Sequence, residues 1–187
     1  MIAILGLLAA CSQGANPTGM IATSAIEPVQ QDSVLRDRIA IGNVTGGQAT
    51  NPLWISEVSN DDFASALRQS LAANALLAVR DETFRVDANL IGFDRPLAGF
   101  DLTVTARIKY RLTRRSNGEV VYDREIRAPF TANFGSAFLA NERLKLANEG
   151  AVKENIKQFL RDLVIASRSF PGNAPPNSRN QTGRPTS

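Results

Sequence analysis

Histidine is absent from the 187 residues, and cysteine occurs once, at Cys11. Without an imidazole, Ser-His-Asp and Cys-His catalysis, His-ligated zinc and imidazole acid/base chemistry are all excluded. Cys11 lies in an apolar leader, so the chain beyond it offers no thiol as nucleophile, metal ligand or disulfide partner. Long hydrophobic runs are also scarce. The leader, residues 1–10, is half the length of about 20 residues that a membrane-spanning helix requires. Charge of one sign is lacking as well: the formal charge is +3, and Asp and Glu are interleaved with Lys and Arg along the chain. That balance serves solubility and makes no polyanion site.

With 43% hydrophobic residues, the chain can build one ordinary domain with a real core. The leader closes on Leu8-Ala9-Ala10-Cys11 and is followed by a polar, small-residue stretch over residues 12–33 that contains Gly14, Pro17, Gly19 and Pro28. No hydrophobic period is sustained there, and the expectation is a flexible tether. Residues 169–187, rich in Pro, Asn, Ser and Arg, have almost nothing apolar to bury and are expected to be disordered. The resulting division is a signal-peptide remnant over 1–10, a lipidated flexible tether over 11–35, a domain over 36–167 and a disordered tail over 168–187.

Within the domain the order reads β-α-β-β-β-α. A short strand over 37–44 is followed by the Gly46-Gly47 turn and a loop that carries Trp54. Trp54 is a candidate partner or ligand contact; an anchor packed on the core edge is the plainer alternative. Ser59, Asp61 and Asp62 supply a cap and favourable charge for a helix over 60–75, with Phe63, Leu67 and Leu71 on its buried stripe and Asn74 near its end. A strand over 83–93 alternates Phe84, Val86, Ala88 and Leu90 against polar neighbours, and Gly92 marks a bulge. Residues 100–113 alternate most strictly, from Phe100 through Val104, Ile108 and Tyr110 to Leu112, which requires one buried and one wet face.

Ser116-Asn117-Gly118 turns the chain into a strand over 119–130, whose inward set is Val120, Tyr122, Ile126 and Phe130. With Gly118 left-handed, Arg111 faces Asp123 and Lys109 faces Glu125, so the basic stripe Arg107, Lys109, Arg111 is largely neutralised. No aromatics interleave with it to stack bases, and no nucleic-acid surface is expected. The last helix, over 136–166, carries Leu139, Leu144, Ala147, Ala151, Ile156, Phe159, Leu160 and Leu163, with Gly150 at a close approach or a bend. The fold class is therefore α+β: a two-layer, four-stranded, mostly antiparallel sheet with two helices packed on one face.

Leu8-Ala9-Ala10-Cys11 resembles the lipobox of bacterial lipoproteins. The resemblance implies cleavage before Cys11, a diacylglyceryl group on its thiol and a membrane anchor of several acyl chains, firmer than one chain gives. A buried segment whose cysteine is merely a small hydrophobe is the plainer alternative. Ser12 follows the cysteine, and in Gram-negative families a residue other than Asp there implies sorting to the outer membrane. The segments Leu102-Thr103-Val104-Thr105-Ala106, Tyr110-Arg111-Leu112 and Asn117-Gly118-Glu119-Val120-Val121, with Arg143 to Ala147 in the last helix, resemble small envelope-assembly lipoproteins of the LptE and YajG types.

The resemblance implies a non-enzymatic envelope lipoprotein on the periplasmic face of the outer membrane, an interaction or accessory subunit of an outer-membrane or transport assembly. The alternative is a periplasmic module that binds a lipid or other amphiphile. Its partners are the membrane, through the lipid anchor, and envelope proteins; no residue fixes an oligomeric state. An enzyme is not expected: Asp61, Asp62, Asp87 and Glu125 are explained by capping or solvent exposure, and Gly46-Gly47 lacks the Lys-Ser/Thr of a phosphate loop. No catalytic residue, metal ligand or cofactor is assigned.

Overall fold

A computed structural model describes residues 14–23, 25, 27, 29, 32–48, 57–95, 101–137 and 139–170. The lipidation site expected at Cys11 and the contact expected at Trp54 both lie outside the described residues, as do the leader and residues 171–187.

Four strands form one sheet in the order β1 (Ile39–Thr45), β2 (Phe84–Asp94), β3 (Leu102–Arg114), β4 (Val120–Ala132). Helix α2 (Asn60–Ala73) joins β1 to β2, which makes that pair parallel, because parallel neighbours need a crossover. The other two pairs are antiparallel. Helix α3 (Ala140–Ser167) returns along the face that α2 also covers, giving the expected two-layer α+β fold. A single-turn helix, α1 (Pro17–Met20), precedes β1.

The local signals act where the sequence places them. Ser59 caps α2 by accepting from Asp62 N, and Asn74 ends it, followed by Ala75 with φ 54°. The β2–β3 register slips between Leu90 and Gly92, which is the bulge expected at that glycine. Gly118 has φ 72° and lets the turn after β3 close, with Arg111 opposite Asp123 and Lys109 opposite Glu125.

Inside the layer, Tyr110 of β3 stacks on Phe159 of α3 with centroids 3.9 Å apart and planes 3° from parallel, and Tyr122 meets Phe159 edge-on at 5.7 Å. The Tyr110 hydroxyl donates to Asn155 Oδ1 at 2.8 Å, and Asn155 Nδ2 donates to the carbonyls of Ala106 and Ile126. The buried polar atoms thus satisfy one another. Burial pushes the Tyr110 phenol well above its ordinary value, so it stays a neutral donor.

Four expectations need correction. Val120 and Phe130, placed in the inward set, are 47% and 37% exposed: the register slips between Leu112 and Thr113 and leaves Val120 outside the regular alternation, and Phe130, near the end of β4, covers only the Gly150 side of α3 with its ring. The last helix starts at Ala140 and not near 136: Phe134–Ser136 is a separate 3₁₀ turn, and Leu139 is exposed ahead of the helix instead of buried on it. Third, the stretch expected as a flexible tether is packed into the domain over its described residues. Ala15, Met20, Ala22, Ala25 and Val29 all belong to the core. They are spaced irregularly, so no helical or strand period announces them; they fill a groove as individual side chains. Fourth, the start of the expected tail is packed too, since the buried Phe170 ring meets Phe84 of β2 with centroids 6.0 Å apart. Gly150 proves to be a close approach, since a Cβ there would collide with the Phe130 ring of β4.

Candidate functional site

The groove between α2 and α3 holds the N-terminal segment, and polar side chains from both helices take over its backbone hydrogen bonding. On α2, Ser70 Oγ accepts from Ala22 N at 2.9 Å and donates to Ala66 O. Asn74 at the end of α2 accepts from Ala25 N at 3.0 Å and donates to Ala22 O at 2.9 Å. From α3, Arg161 Nε donates to Ala25 O at 2.8 Å, and Glu149 Oε1 accepts from Asn16 N at 2.6 Å. Ala15 N donates to Glu57 O at 3.2 Å. Read from Ala25 back to Ala15, the segment therefore climbs from the C-terminal ends of the two helices toward their N-terminal ends. Gly19 passes close to the Glu149 carboxylate, which would have to shift to admit a Cβ there.

A second polar cluster closes this upper end. Arg95, just after β2, forms a two-pronged pair with Glu57 at 2.9 and 3.0 Å and reaches Asn148 Oδ1 at 3.4 Å. Arg143 lies over the Phe134 ring at 5.0 Å and donates to Ala137 O at 2.8 Å, bracing the turn before α3. Sequence reasoning missed Glu149, Asn148, Asn155, Ser70 and Asn74 in these roles, apart from Asn74 as a helix terminator. The signal available was local: Asn148, Glu149 and Asn155 lie among Ala147, Gly150 and Ala151, small residues that let a helix approach its neighbours closely.

The outer sheet face, away from the helices, carries a charge ladder. Asp123 receives Lys109 at 3.0 Å and Arg111 at 2.9 Å, while Glu125 receives Arg107 at 3.2 Å and Arg127 at 2.8 Å. Lys109 thus pairs diagonally with Asp123 even though its register partner is Glu125. Hydrogen bonds first from Lys109 and then from Arg111 hold the Asp123 carboxyl below its ordinary range, and the bond from Arg107 does the same for Glu125. A carboxyl depressed in the folded state stabilises that state above its unfolded pKa, near 4, and the contribution disappears as pH falls through the lower folded value. The ladder is solvent-exposed, so the effect is small and screened by salt. At low ionic strength, the urea midpoint is expected to fall between about pH 5 and about pH 3, and Asp123→Asn is expected to make that fall shallower. Identical pH profiles for the two proteins would contradict the assignment.

The carboxylates weighed for paired catalysis are not brought together. Asp61 and Asp62 sit in the first turn of α2, where Asp62 Oδ2 accepts from Ser59 Oγ at 2.6 Å. Asp87 accepts from Asn43 N on the neighbouring strand, and Glu125 lies between Arg107 and Arg127. Gly46, with φ 82°, and Gly47, whose N–H donates to Asn60 Oδ1 at 2.8 Å, make a turn against the start of α2. Among the described residues no group of three Cys, Asp or Glu side chains is placed to hold a metal ion, and no helix is long and apolar enough to cross a membrane.

No protein-family model and no curated protein matches the sequence. Solved structures do resemble the fold. Protein XCC0632 from Xanthomonas campestris, of family model DUF330, is similar at 11% identity over 72% of this chain and 90% of that one, with a TM-score of 0.54. Protein CT253 from Chlamydia trachomatis is similar at 8% identity over 72% of this chain and 99% of that one, with a TM-score of 0.53. A minor lipoprotein from Acinetobacter baumannii aligns at 12% identity over 71% of this chain and 95% of that one, with a TM-score of 0.46. The first two likenesses show a shared fold, at identities that carry no activity with them.

Proposed function

We propose that the chain is a non-enzymatic lipoprotein of the cell envelope, held to the periplasmic face of the outer membrane through acylated Cys11, and that it acts as an interaction or accessory subunit of an outer-membrane or transport assembly. The observation that carries this reading is Leu8-Ala9-Ala10-Cys11 at the end of an apolar leader, with the chain entering a folded domain only a few residues later. Support also comes from the side chains capable of chemistry. Histidine is absent, the one thiol is in the leader, and carboxylates such as Asp62 and Glu125 are engaged at a helix cap or in a charge ladder.

The competing reading, an amphiphile-binding module, needs an apolar cavity between sheet and helices. Among the described residues, the middle of that layer is filled by the stacked rings of Tyr110 and Phe159 with Phe63 and Tyr122 around them, and the helix groove by the N-terminal segment. No observation favours that alternative.

Mass spectrometry of the mature protein from membranes should find Cys11 as the N-terminal residue, carrying a diacylglyceryl group and an amide-linked acyl chain. Cys11→Ser should move the protein from the membrane fraction to the soluble fraction, because removing the acyl chains removes about 0.8 kcal/mol of membrane affinity per buried methylene. Pull-down of the wild-type chain from detergent-solubilised membranes should enrich an envelope protein. A bare thiol on an unprocessed chain would defeat the anchor, and a pull-down that enriches no envelope protein would defeat the accessory role.

A further inference from the structure

We infer that the end of the domain formed by the Phe134–Ser136 turn and the start of α3 rests directly on the bilayer that holds the anchor. The inference builds on the lipid anchor proposed above and adds the face it presents. A free tether over residues 12–33 would let the domain turn in any direction, but the segment after Cys11 is not free. Asn16 is fixed to Glu149, and Ala15 to Glu57. Ala15, the residue so fixed that lies nearest Cys11, is only four positions along the chain from it, a span of at most about 14 Å when fully extended. From Glu149 back to Ala140, the helix rises about 14 Å. The leash is therefore just long enough for Cys11 to reach the level of the α3 tip, and too short for the opposite end of the sheet to reach the membrane.

The tip itself has the surface for such a contact. Phe134 is 51% exposed and Leu139 is 52% exposed, two large apolar side chains either side of one short turn. The turn is held rigidly: Asp101 Oδ1 accepts from Phe134 N at 2.9 Å, and Arg143 braces both Phe134 and Ala137. Among the described residues, Asp101 and Arg143 are the charged side chains that contact the turn and Glu142 follows in the first turn of α3; Arg143 is buried against Phe134 and Ala137, so it is not displayed to anionic headgroups. What it fits is shallow insertion of apolar side chains among lipid tails, held in place by the anchor. The outer charge ladder and the Arg115–Gly118 end then point sideways and away from the membrane, open to a protein partner.

The test uses the full acylated chain, in which Cys11 is a thioether and no other thiol exists. Gly135→Cys adds a labelling site where a Cβ meets nothing within 4 Å, and Ser116→Cys adds one at the opposite end. Each is labelled with an environment-sensitive fluorophore and reconstituted in phosphatidylethanolamine/phosphatidylglycerol vesicles that contain a shallow spin-labelled lipid. Quenching at position 135 is expected to be at least about threefold stronger than at position 116. Ser136→Cys serves as a second tip label should the glycine variant not fold. With acylation of Cys11 verified by mass spectrometry, equal or weaker quenching at the tip overturns the docking and leaves the anchor standing. Absence of acylation overturns both.

Discussion

Phe159→Ala is expected to lower the unfolding free energy by about 3–5 kcal/mol, a large part of the roughly 5–15 kcal/mol that holds an ordinary domain together. Phe159 is fully buried on α3 and touches both tyrosines that face the helices, stacked on Tyr110 and edge-on to Tyr122. Its removal opens a cavity that neighbouring rigid rings cannot close. The damage spreads to polar groups, because Tyr110 positions Asn155, which in turn bonds the carbonyls of Ala106 and Ile126 on adjacent strands. Chemical denaturation followed by circular dichroism reads the effect as a fall in midpoint at unchanged slope. Phe159→Leu, which keeps most of the volume, should lose much less. Equal losses for the two substitutions would show that the volume Leu retains does not replace the ring, and would overturn the cavity argument.

Met20→Ala is expected to cost about 2–5 kcal/mol, the range for a large apolar side chain removed from a core. A tether would predict no change. Met20 ends α1 and is fully buried, in the same cluster as Leu67 and Leu71 of α2 and Phe159 and Leu163 of α3. Loss of its contacts should also free the backbone that Ser70, Asn74 and Arg161 hold around Ala22 and Ala25. Protection of the Ala22 and Ala25 amides from hydrogen exchange should fall along with global stability. An unchanged denaturation midpoint would return the segment to the status of a linker and remove the short leash on which membrane docking depends.

The two effects illustrate different relations between sequence and structure. Phe159 belongs to a helical stripe, and its partner Tyr110 belongs to the most regular alternation in the chain, so both are legible as core from residue spacing alone. Met20 has no such pattern around it. Turn-forming and polar neighbours hide it, and the same is true of Ala15, Ala22 and Ala25. The candidate site inherits that difference. Cys11 is readable as a candidate acceptor because its neighbours resemble a short local motif, whereas the clamp on the segment that follows it is assembled from Glu57, Ser70, Asn74, Glu149 and Arg161 on separate elements.

Strand alternation, helix caps and the Gly118 turn are local properties, and they were sufficient to determine the order of elements, the β3–β4 register as far as Leu112 opposite Tyr122 and the helix-covered face, since each depends on a short-range residue pattern. Where the N-terminal segment goes, how far β4 alternates and where α3 begins were decided only by the tertiary structure. Each of these depends on a groove, a register slip or a braced turn that follows no periodic pattern in the sequence, and the free energy that selects them exists only once the sheet and both helices are in place.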